Sequence, residues 1–62
     1  MKLIKLTSTD EKTYFVNPAF IVALHCYYCN FKAYYVVTIA NFKDIEISES
    51  AYKEVLEQLK SI

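Results

Sequence analysis

The sequence predicts an α+β fold: a small antiparallel meander of five strands, flat or curled into a partial barrel, followed by one C-terminal helix. Three observations predict it. Short β-branched and aromatic runs recur between polar, turn-forming clusters. The C-terminal segment then changes to a helical period. Finally, a chain of 62 residues and 7.2 kDa should expose roughly 4,100 Å² folded against about 10,400 Å² extended, enough burial for one small core only. Residues 1–62 therefore read as a single domain, too small for a doubly wound sheet, a TIM barrel or a large enzyme cleft.

The first strand is Lys2 to Leu6, with Ile4 and Leu6 on one face and Leu3 and Lys5 on the other. Thr7 to Lys12 is polar and reads as a hairpin loop, with Asp10 the residue expected to take a positive φ in a chain without glycine. Thr13 to Val16 is the second strand, stopped by Asn17-Pro18, since proline cannot donate to a ladder. Phe20 to Tyr28 is the third strand and Ala33 to Ala40 the fourth, joined by a turn with Asn30 expected in the left-handed region. Asn41-Phe42 turns the chain again. Asp44 to Ser48 alternates cleanly, with Ile45 and Ile47 inside and Asp44 and Glu46 outside. Ser48 or Ser50 can cap a closing helix, and Glu49 suits its positive end. Tyr52, Val55, Leu56, Leu59 and Ile62 form its apolar stripe, while Lys53, Glu54, Glu57 and Lys60 face solvent, with Lys53–Glu57 and Glu57–Lys60 as supporting pairs.

The third and fourth strands are apolar on both faces, unlike an antiparallel sheet with one wet face. One short helix covers one face only. The excess implies either curvature or a self-association surface, with Tyr27, Tyr34, Tyr35, Val36 and Val37 as its candidate residues. Two seams are expected: Tyr34 and Val36 facing Val22 and Leu24, or Tyr35 and Val37 with Ile21 and Tyr27. Tyrosine suits an interface because it buries area and keeps a polar tip. A homo-oligomer follows, a symmetric dimer being the first expectation, with another protein as the alternative partner.

Composition narrows the chemistry. Seven lysines balance seven acids, with no arginine, so the net charge is zero. Nucleic-acid binders usually rely on an excess of positive charge, and the exposed aromatics alone leave base stacking as an alternative function. His25-Cys26-Tyr27-Tyr28-Cys29 is the one chemically suggestive run. Structural zinc wants four N/S ligands, and Cys26 and Cys29 are half a set; His25 points away from Cys26 on a strand. A redox dithiol wants a helix N-terminus, and this pair sits at a strand end and turn. A metal or thiol site at Cys26/Cys29 is thus the second alternative; the sequence assigns neither metal nor cofactor. No carboxylates converge, and no glycine-rich phosphate loop can exist without glycine, so no enzyme activity is expected. No apolar run approaches a membrane span and no secretory leader is legible, which implies a cytoplasmic protein with reduced thiols.

One ordering of residues extends over most of the chain. Leu6-Thr7, a polar loop, Tyr14-Phe15-Val16-Asn17-Pro18, Ile21, an apolar strand and turn, then Ile45-Glu46-Ile47-Ser48-Glu49-Ser50 leading to Val55 and Leu59, resembles the FlbD family of very small bacterial flagellar-operon (swarming motility) proteins. Those chains open on Leu-Thr, a polar turn and Val-Asn-Pro, and enter a closing helix through Val-x-Glu-Ser. Here Glu11 or Lys12, and Phe42, stand where that family has turn glycines, and the stretch from His25 to Tyr35 is longer and more apolar. The resemblance implies a β-meander with a helix, a non-enzymatic accessory or regulatory role, and no catalytic residues.

Overall fold

The computed structural model describes residues 2–61 and consists of five antiparallel strands and one C-terminal helix, the predicted α+β class. The helix position expected at Ile62 lies outside the described residues.

Alternation sets the first hairpin. β1 (Ile4–Thr7) pairs with β2 (Thr13–Val16) in the register Ile4↔Val16 and Leu6↔Tyr14, and Ile4, Leu6 and Val16 are buried. The loop adopts the left-handed conformation at Glu11 (φ 66°), not at the expected Asp10. Its bonds explain why. Glu11 N–H donates to Ser8 C=O and Ser8 N–H to Lys12 C=O, so a tight turn over Ser8–Glu11 ends on one positive-φ residue, a common three-residue hairpin connection. The Asp10 carboxylate instead accepts from the Ser8 hydroxyl and lies 3.8 Å from Lys12 Nζ.

Asn17 then ends the hairpin. Its side-chain Oδ1 accepts from Ala19 N–H and starts a single 3₁₀ turn, Pro18–Phe20, with proline where its missing N–H costs nothing. This turn carries the chain out of the first sheet, so the second and third strands do not pair and the meander divides into two sheets, β1-β2 and β3-β4-β5. The second sheet comprises β3 (Ile21–Cys29), β4 (Lys32–Ile39) and β5 (Asp44–Ile47). A bridge between Ser8 and Ile47, and Thr9 N–H donating to Glu46 C=O, stitch the two sheets together without closing a barrel.

α1 (Glu49–Lys60) is capped by Ser48, whose hydroxyl accepts from Ala51 N–H. Its inward stripe is Ala51, Tyr52, Val55 and Leu59, packed on a core of Ile4, Leu6, Val16, Val37, Ile39, Ile45 and Ile47. Leu56 is a correction: it remains 37% exposed. The rotation of the helix is set by Gln58, whose amide accepts from Lys5 N–H (3.0 Å) and donates to Lys5 C=O (3.1 Å). Turning Gln58 onto β1 sends Leu56, two positions and about 200° away, toward solvent. Along the helix, Lys53 pairs with Glu49 (3.3 Å) rather than with the expected Glu57, while Glu57–Lys60 forms at 3.5 Å. No helix among the described residues is long and apolar enough to cross a membrane.

Candidate functional site

The most exposed apolar surface lies on the β3–β4 hairpin, and its local geometry follows from its turn. β3 and β4 are joined by Asn30 and Phe31, both left-handed (φ 50° and 63°), in the two-residue connection whose twist matches that of the strands. Asparagine tolerates that conformation. Phenylalanine does not favour it, which costs roughly 1–2 kcal/mol, yet Phe31 is 98% exposed and packs on nothing. Neither a core role nor turn chemistry accounts for that residue.

β4 pairs with β5 only from Tyr35 to Thr38. Beyond that point Lys32, Ala33 and Tyr34 have β3 on one side and an open notch on the other. The notch, about 430 Å³, separates this edge from Glu46 and from Glu49 at the helix start. The distal hairpin therefore projects as an arm. Its effect on shape is measurable: the chain extends 39 Å along its long axis against 23 and 20 Å, and its radius of gyration is 11.3 Å, where a compact chain of this length would have about 10.6 Å.

The register decides which predicted surface residues act together. Tyr27↔Tyr34 and His25↔Val36 share one face; Leu24↔Val37, Cys26↔Tyr35 and Tyr28↔Ala33 share the other. Both expected seams are corrected by this register. Tyr34 and Val36 face Tyr27 and His25, not Val22 and Leu24. Tyr35 and Val37 share their face with Ile21 and Leu24, and Tyr27 lies on the opposite one. Val22 stands outside both alternations, because it is the extra residue where the register shifts between Ile21 and Ala23.

The five candidate interface residues also differ in availability. Val37 is fully buried in the core beneath the helix, so it presents nothing to a partner. Tyr35 is half-buried with its ring centroid 4.9 Å from that of Tyr52. Partial burial, with Glu49 and Cys26 beside it, raises the Tyr35 hydroxyl above the usual tyrosine range. Val36 is almost covered by its own neighbours, and on its face the His25 ring Nε2 lies 3.1 Å from the Thr38 hydroxyl. Tyr27 and Tyr34 stack at 5.2 Å with planes 15° apart, and Lys32 Nζ lies 5.2 Å from the Tyr34 centroid. That stack leaves little free ring face on Tyr34 for a nucleobase.

Residues that the sequence did not mark complete the surface. Tyr28 is 76% exposed and Phe31 extends the patch over the tip of the hairpin; Val22, a residue of one expected seam, is exposed as well. Tyr28 was readable in principle from its place at the end of a strand too long for one helix to cover.

The thiols do not meet. Cys26 and Cys29 are exposed and free, and lie on opposite faces of β3. Three strand positions separate their Cα atoms by about 10 Å, beyond the 4.4–6.8 Å that a disulfide spans. His25 shares a face with Cys29 and opposes Cys26. Among the described residues no three His, Cys, Asp or Glu side chains gather as a metal set. No family model, curated protein or solved structure matches the chain.

Proposed function

We propose that the protein is a small non-enzymatic interaction module that self-associates through the β3–β4 arm, with a dimer as the first assembly. One observation carries this reading. β3 runs for nine residues without a single fully buried side chain, although eight of them are Ile, Val, Ala, Leu, Cys or Tyr on the strand's two faces and none is charged. Fully burying an aliphatic or aromatic side chain contributes about 1.5–3 kcal/mol, and contiguous exposed apolar surface usually marks an interaction site. The neutral net charge supports association, because two copies do not repel one another. A regulatory role in the cytoplasm agrees with the likeness to the FlbD family, whose small proteins carry out accessory functions.

Sedimentation at micromolar concentration tests the reading: a species of twice the chain mass is expected, and a well-folded 7.2 kDa monomer would overturn it. Two substitutions separate association from folding. Tyr34→Lys removes the ring stacked on Tyr27 of β3 without touching the core, and should yield a soluble chain that associates more weakly. Tyr35→Lys, placed against Tyr52 and the core, should unfold it.

A further inference from the structure

Resting on that reading, we infer that two copies join edge to edge through β3, antiparallel about a twofold axis that passes beside Cys26, making one continuous six-stranded sheet. The argument begins with the backbone. In a hairpin closed by a two-residue loop, the flanking pair exchanges both hydrogen bonds, and bonded and non-bonded pairs then alternate. Cys29↔Lys32 is that flanking pair here, so Tyr27, His25 and Ala23 point their N–H and C=O groups at β4. Leu24, Cys26 and Tyr28 point theirs outward. β3 is the outermost strand of its sheet, and among the described residues no strand pairs with this edge.

Edge strands are normally blunted by lysine, proline, a bulge or great shortness. Between Ile21 and Cys29 there is no lysine and no proline, and the strand is long. Its single irregularity, at Val22, confines the regular run to Ala23–Cys29. The midpoint of that run is Cys26. A twofold there sets Leu24 beside the partner's Tyr28, His25 beside the partner's Tyr27, and Cys26 beside the partner's Cys26. Each pairing brings an outward-pointing backbone set to an outward-pointing set, so Leu24, Cys26 and Tyr28 each gain both missing bonds. The side chains agree: apolar Leu24 meets an exposed aromatic ring, and no charged group opposes another across the seam. Association of two faces is less well served. The outer face carries Lys32, Asp44 and Glu46 around the Tyr27–Tyr34 stack, and α1 already lies over part of the other.

The test uses the full chain. Amide hydrogen exchange is compared below and above the dimerisation range set by sedimentation. Leu24, Cys26 and Tyr28 should slow about tenfold or more on association, while the ladder amides of His25 and Tyr27 are slow in both conditions. Hydrogen-bonded partners in an antiparallel pair place their Cα atoms about 5.5 Å apart, within disulfide reach. Diamide, which takes two electrons and two protons from a pair of thiols and becomes the hydrazine, should therefore link Cys29→Ser chains through Cys26 as covalent dimers; Cys26→Ser should give none. Cys26→Pro removes an outward N–H only and should yield a folded monomer, whereas His25→Pro should unfold the arm. A dimer whose three outward amides still exchange freely, and whose Cys26 does not cross-link, overturns the edge geometry and leaves self-association standing. A chain that is monomeric throughout overturns both. Exchange and cross-linking decide the matter even where a proline variant fails to fold.

Discussion

β4 occupies two environments along its own length. From Tyr35 to Thr38 it lies between β3 and β5, and Val37, packed in the core with residues of α1, is wholly excluded from water. From Lys32 to Tyr34 it has one neighbouring strand and no cover. Lys32 apart, the distal half still offers Ala33 and Tyr34 for burial, so hydrophobicity alone does not explain the contrast. Reach does. The twelve residues of α1 extend about 18 Å, whereas the nine of β3 extend about 30 Å. One helix of this length cannot roof the whole hairpin, and β5, four residues long, supports only half of β4. Burial in so small a domain is decided by which elements are long enough to cover which others.

The comparison is broken most severely at its buried end. Ile4→Ala, beneath the helix, should cost about 2–5 kcal/mol in a domain whose whole stability is about 3–5 kcal/mol. Tyr28→Lys on the arm should change stability by no more than about 0.5 kcal/mol. Urea denaturation followed by circular dichroism, below the dimerisation range, measures both. Equal losses would mean that the arm belongs to the folding core.

A smaller effect is expected at the clasp between helix and first strand. Gln58→Ala removes the donor and acceptor that hold Lys5 and should cost about 1–2 kcal/mol. The same variant should accelerate amide exchange at Lys5. Gln58→Glu keeps an acceptor but brings a carboxylate to the Lys5 carbonyl, so it should not restore the loss. A melt unchanged in Gln58→Ala would show that apolar packing alone docks the helix.

The smallest change lies at the arm's tip. Phe31→Gly relieves a left-handed conformation costing roughly 1–2 kcal/mol and adds unfolded-chain entropy of about 0.5–1 kcal/mol. The net expectation is a gain of about 0–1.5 kcal/mol, read as an unchanged or raised melting temperature. A clear fall in melting temperature would show that the Phe31 ring packs within the chain after all.

Alternation made the strands and the inward set Ile4, Leu6, Ile45 and Ile47 legible in the sequence, and capping chemistry narrowed the helix start to Ser48 or Ser50, because period and capping are local; the structure selects Ser48. Glu11 was not, since its conformation depends on the bonds that Ser8 makes across the loop. Leu56 was misplaced because a helix shows its apolar arc in sequence but not its rotation, which here depends on a contact between Gln58 and Lys5. The candidate surface was legible as an excess of tyrosine and as two-faced strands. Its division between faces was not, since cross-strand register depends on where the hairpin turn and the shift near Val22 fall.

The Gln58–Lys5 clasp also bears on how the chain reaches its folded state. It joins residues 53 positions apart, almost the full length of the molecule. The two hairpins close through loops of a few residues, events of microseconds. The clasp must wait until the intervening chain is ordered, because closing so long a loop early gains little against its entropy. If helix docking follows the rate-limiting step, Gln58→Ala is expected to speed unfolding more than it slows folding, which stopped-flow refolding and unfolding of the two chains measures.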